Sequence, residues 1–95
     1  MPEMRFHVRW PDGLREACYS PSLVVKEHLA IGETYEVAEF AARSRTALTI
    51  ASERVEARYG FPCSLALGQL ARIEARATAL AATPDARVTV EAFEE

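Results

Sequence analysis

Two cysteines and a basic stripe carry the residue types best suited to chemistry in this chain of 95 residues. Cys63 stands immediately before Ser64, where a helical pattern begins. Free N–H groups and the dipole at a helix start favour a thiolate, which suits a nucleophile or a redox thiol. No histidine lies near it in sequence to act as a base, and cysteine commonly fills a small buried gap, so a packing role stands against the reactive one. Cys18 raises the same question from the apolar side of a strand. If the last helix starts above the end of that strand, the two thiols approach each other, and a disulfide would need Cα atoms within about 7 Å.

The basic stripe is Arg5, His7 and Arg9 on one strand, with Arg15 and Tyr19 on its hairpin partner. In the expected register Arg9 faces Arg15, and like charges directly opposed on a sheet destabilise it unless something offsets them. Glu91 on a later strand is the candidate partner. Two readings stand side by side: a solvated face with internal ion pairs, or a site for a carboxylate, a phosphate or an acidic partner.

Other chemistries lack their patterns. Ser20, Ser22, Ser44, Ser52 and Ser64 fall at caps or on helix surfaces, and there is neither a Gly-x-Ser-x-Gly elbow nor a glycine-rich phosphate loop after a strand. Glu33, Glu36, Glu53 and Glu56 read as helix-surface carboxylates. His7 reads as an exposed strand residue and His28 as a residue near a helix C-terminus, where its cationic form is favourable. Two cysteines and two histidines at distant positions do not make a zinc spacing, and no cofactor motif is present. A net charge of −3 with arginines scattered among glutamates argues against nucleic-acid binding. The first residues lack the basic and apolar regions of a signal peptide, and the apolar runs are too short to span a bilayer, so a cytoplasmic protein without membrane contact is expected.

The elements that must position these groups follow from periodicity. Met4, Phe6, Val8 and Trp10 alternate with Arg5, His7 and Arg9, as in a half-buried strand. Pro11-Asp12-Gly13 suits a tight hairpin loop, and pairing Trp10 with Leu14 sets Val8 against Glu16, Phe6 against Cys18 and Met4 against Ser20. Ser20-Pro21 predicts the start of a short helix running to about Ile31, stopped by Gly32. Thr34 caps a long helix with Val37, Ala41, Ser44, Leu48, Ala51 and Val55 on one face. At its expected length of about 40 Å it outruns a domain of this size, which predicts a homodimer packed along its alanines. Tyr59-Gly60-Phe61-Pro62 reverses the chain, and Ser64 caps an antiparallel helix with Ala66, Leu70, Ile73, Ala77 and Leu80 as its seam. A closing strand from Arg87 puts Val88, Val90 and Ala92 on one face and Glu91 and Phe93 on the other. The sum is one α+β domain over residues 1–95 in the order ββαααβ. It has a three-stranded antiparallel sheet with the first strand central, and helices, including a long antiparallel pair, on one face.

Taken together, the segments Val8-Arg9-Trp10-Pro11-Asp12-Gly13, Cys18-Tyr19-Ser20-Pro21-Ser22, Ala51-Ser52-Glu53-Arg54-Val55 and Tyr59-Gly60-Phe61-Pro62-Cys63-Ser64, with Met1 to Phe6, resemble a small bacterial family. Its members are described as nitrogen-starvation-response proteins, encoded in gene clusters with a nitrilase, a radical S-adenosylmethionine enzyme, an acetyltransferase and a flavin-dependent oxidoreductase. The resemblance implies a setting in nitrogen stress and in nitrile or cyanide assimilation, with the cluster's proteins as partners and no assigned activity. Two functions remain open: a non-catalytic accessory protein that binds a cluster enzyme or a small anionic metabolite, and a small thiol-dependent enzyme or carrier using Cys63, with or without Cys18.

Overall fold

A computed structural model describes residues 2–95. Its first two strands, β1 (Met4–Arg9) and β2 (Arg15–Ser20), pair antiparallel from Met4 with Ser20 to Arg9 with Arg15, the register expected from the alternation. The loop between them is fixed by its own residues. Gly13 adopts φ 88° and donates its N–H to the Trp10 carbonyl at 2.9 Å, while the Asp12 carboxylate accepts the Leu14 N–H at 3.1 Å. Only a residue without a side chain enters that left-handed conformation freely.

Two expected helical segments are shorter or absent. The short helix is a 3-10 turn, η1 (Leu23–Glu27), which does not reach Ile31. Ser22 rather than Ser20 caps it, accepting the Val24 N–H; Ser20 ends β2, and its hydroxyl donates to the Ser22 carbonyl at 2.7 Å. Thr34 caps no helix. It begins β3 (Thr34–Glu36), a fourth strand that pairs with β4 (Arg87–Glu94). The reason is the second edge of β4, whose backbone N–H and C=O groups require partners when buried beside a core. The ladder extends backwards through the loop, with Gly32 N–H on the Val90 carbonyl at 2.8 Å and Val90 N–H on the Glu33 carbonyl at 3.0 Å.

The chain is therefore α+β with a four-stranded antiparallel sheet in the order β2-β1-β4-β3, and two α-helices, α1 (Val37–Tyr59) and α2 (Ser64–Ala79), on one face. As expected, β1 lies between its hairpin partner and the C-terminal strand. β4 departs from simple alternation. Val90 pairs with Val8 and Ala92 with His7, so Glu91 is an extra residue, a bulge. Beyond it the faces exchange: Phe93 lies opposite Phe6 and packs on the core, and Ala92 turns outward, the reverse of the expectation from strict alternation.

The core lies between sheet and helices. Trp10 is its hub, buried at the end of the hairpin, edge-on to Phe40 of α1 at 5.4 Å between ring centroids, with the Arg76 guanidinium 5.1 Å above its ring. Around it pack Phe6, Val8, Leu48, Ile73 and Val88. The alanines of α1 divide: Ala41, Ala47 and Ala51 are buried inside this chain, whereas Ala38, Ala42 and Ala57 face out. The helix runs lengthwise in a molecule 41 Å long, so its length alone does not require a second subunit. No helix among the described residues is long and apolar enough to cross a membrane.

Candidate functional site

The hinge between α1 and α2 is built by backbone need. Gly60 ends α1 at φ 91° with its N–H on the Glu56 carbonyl, and Cys63 occupies the N-cap position of α2, one residue earlier than the expected cap at Ser64. Cys63 makes no side-chain cap bond; its own N–H donates to the buried Ser52 hydroxyl at 3.2 Å, which ties the hinge to α1. The thiol is thereby left half-buried at the mouth of a small open cleft of about 200 Å³ formed by Glu3, Tyr19, Pro21, Val55, Tyr59 and Cys63.

Tyr19 belongs as much to this cleft as to the sheet. Desolvation, with the Glu3 carboxylate beside its hydroxyl, raises its pKa to about 12; Cys63 adds to the rise and Arg5 opposes it. A phenol, a carboxylate and a thiol thus share one recess. Among the described residues no histidine lines this cleft, so the thiol stands there without the Cys–His pair of a typical thiol nucleophile.

Cys18 is elsewhere in chemical terms. It is fully buried, and desolvation, reinforced by Glu16, raises its pKa far above the ordinary thiol value, which disfavours the thiolate. Both cysteines are free. Around Cys18 lies a polar network that periodicity did not reveal. The Glu16 carboxylate accepts the Trp10 indole N–H and the Gln69 amide, each at 3.0 Å. The Gln69 carbonyl oxygen accepts the Tyr19 backbone N–H at 3.1 Å and Arg72 at 3.0 Å. Gln69, only 2 % exposed, thereby stitches α2 to the edge strand β2.

The structure brings Arg5, His7, Arg9 and Arg15 onto the outer sheet face, and gives three of them carboxylate partners. Glu91 lies 3.2 Å from Arg15 and 3.9 Å from Arg9, and Glu94 is 3.0 Å from His7. The bulge carries this arrangement, since the extra residue is the one that places a carboxylate between two opposed arginines. What sequence presented as a basic stripe is a mosaic of both signs.

The apolar surface concentrates at the hinge instead. Tyr59, Phe61, Leu65 and Leu67 are all exposed, Phe61 and Leu65 at 66 % each. A larger cleft of about 670 Å³ lies between the start of α1 and the end of α2, walled by Ala41, Ala77 and Leu80. An Arg45–Glu74 ion pair at 2.6 Å lies in its wall, and none of Arg5, His7, Arg9, Arg15, Cys18, Tyr19 and Cys63 lines it. Among the described residues no cluster of three histidine, cysteine or acidic side chains is arranged to hold a metal ion.

A family model described as nitrogen starvation-induced protein NitG matches residues 5–93. No curated protein and no solved structure matches the chain.

Proposed function

The chain belongs to the nitrogen starvation-induced NitG family, and from that premise we propose that it is a non-catalytic interaction protein of the nitrogen-starvation response. Its partner is an enzyme of the nitrile- or cyanide-assimilating gene cluster that the family resemblance implies, the nitrilase first among them. The observation that carries this reading is the exposed apolar group Tyr59, Phe61 and Leu65 beside the hinge cleft. A group of apolar side chains left in water on a small domain marks an interaction surface, and tyrosine is among the residue types that most often anchor one. The outer sheet face supports the reading less, because Glu91 and Glu94 already occupy three of its four basic groups, leaving Arg5 and the residual valence of Arg9 and Arg15 for an acidic partner or a small anion.

The test is co-purification with the co-expressed cluster nitrilase, comparing the wild type with Phe61→Ser/Leu65→Ser and with Arg5→Ala/Arg9→Ala. Loss of the complex in the first pair and its survival in the second is the expected result. Retention in the hinge pair overturns the assignment of the surface, and absence of a complex with the wild type overturns the partner.

A second reading, a thiol-dependent enzyme or carrier, is favoured by the placement of Cys63 beside Tyr19 and Glu3 in the cleft. Adduct formation lost in Cys63→Ser but kept in Cys18→Ser supports it, and full function in the double variant removes it.

A further inference from the structure

The larger cleft, between the start of α1 and the end of α2, has a floor and a rim of different chemistry. Its floor is apolar: Val37 and Ala41 are buried, and Ala77, Leu80 and Ala86 are half-buried. Small side chains make the room, because Ala38, Ala41, Ala77, Ala81 and Ala86 leave space that longer residues would fill. At about 670 Å³ the space falls within the roughly 300–1,000 Å³ that small organic ligands occupy, with apolar lining and a few polar groups.

The rim carries Glu36, Asp85 and Arg87. All three are exposed, and among the described residues none of them takes part in an ion pair. Glu36 and Arg87 stand opposite each other in the β3–β4 ladder, a position in which opposite charges attract, yet they do not pair. Glu36 also holds the N-cap position of α1, where its side chain makes no capping bond. Asp85 takes φ 56°, a left-handed backbone that few residues other than glycine, asparagine and aspartate adopt. The Arg45–Glu74 pair in the wall neutralises itself. What the cleft leaves unspent is therefore two carboxylates and one guanidinium beside an apolar floor.

We propose that this cleft binds a free α-amino acid with a large apolar side chain. An ammonium group has three donors and no acceptor, which suits a place between Glu36 and Asp85, while the Arg87 guanidinium takes the ligand carboxylate in a forked, charge-assisted pair. The ligand side chain covers the alanine floor. A ligand of single charge leaves the other sign unanswered, since an amine meets Arg87 and an acid meets Glu36 and Asp85. A ligand without an apolar side chain leaves the floor in water.

Titration of the full chain followed by its backbone amide NMR signals is the test, with L-leucine and L-phenylalanine as ligands. Phenethylamine, 3-phenylpropionate and glycine are the controls, each lacking one part. The two amino acids are expected to bind at about 0.1–1 mM, as an open site holds a ligand of this size, with shifts centred on Ala38, Ala41, Ala77 and Ala86. Each control is expected to bind at least about tenfold more weakly, the loss of one charge-assisted pair or of the buried side chain. Arg87→Gln is expected to weaken both amino acids about tenfold with an unchanged circular dichroism spectrum. Ala77→Leu, which fills the floor with a good helix former, is expected to remove binding; should it unfold the chain, Arg87→Gln and the controls still decide. No binding of either amino acid, a control that binds as tightly, shifts confined to the hinge, or unaltered binding in either folded variant each overturns the proposal. The cleft lies at the opposite end of the helix pair from Phe61 and Leu65, so the outcome is independent of nitrilase binding at the hinge.

Discussion

The outer face of the sheet and the outer side of the helical layer differ in what they leave unspent. The sheet face is dense in charge, yet His7, Arg9 and Arg15 are answered by Glu91 and Glu94 within the same chain. On the helical side, at the hinge and the start of α2, Phe61, Leu65 and Leu67 remain in water. Charge density is therefore a poor guide to a binding surface in this molecule. An unpaired group, polar or apolar, is the better one, because free energy of association comes from valence that the fold has not already consumed.

The sharpest way to break this contrast is to move a charge across the bulge. Phe93→Asp puts a carboxylate against the core and is expected to destabilise the fold by about 3 kcal/mol, whereas Ala92→Asp one residue earlier is expected to stay within about 0.5 kcal/mol. Urea denaturation of both variants measures it, and equal effects would mean that the two faces are not exchanged there. A smaller effect is expected where the sheet charges satisfy one another. Glu91→Gln leaves Arg9 facing Arg15 without their shared carboxylate, with an expected loss of about 0.5–1 kcal/mol that shrinks as salt is added.

The smallest effect concerns the cleft, where the two regions meet. Tyr19 has a pKa raised above 10.0 to about 12, so the fold favours its neutral form. That contribution is fully present below pH 10, the unfolded value, and is lost as pH climbs towards 12. Spectroscopic titration of the phenols in the wild type and in Tyr19→Phe should show one late-ionising group that the variant lacks.

Most of the frame was legible from residues. The hairpin register from Met4–Ser20 to Arg9–Arg15 follows from alternation plus a Pro-Asp-Gly loop, because a slip of one residue would turn Phe6 and Val8 into water. The hinge follows from Gly60 and Pro62. What escaped was set by partners far away in the chain. Three residues, Thr34-Tyr35-Glu36, are too few to show a period, and their extended state is imposed by the open edge of β4. The bulge at Glu91 is a backbone event with no mark in the hydrophobic pattern. The cleft draws Glu3, Tyr19, Val55 and Cys63 from four separate segments, and only Cys63 announced itself through its position before a helix. Tyr19, chosen for the sheet face, serves the cleft.

Gln69 has a further consequence at the margin of the sheet. β2 is an outer strand, and a bare outer strand is a template on which another chain can lay its own backbone. By taking the Tyr19 N–H, Gln69 fills one rung of that ladder with a side chain, and the body of α2 stands behind it. Fibre growth by strand addition is interrupted at that rung. Any visitor to this side of the molecule must come in through side chains, which can read the surface residue by residue in a way that main-chain pairing cannot.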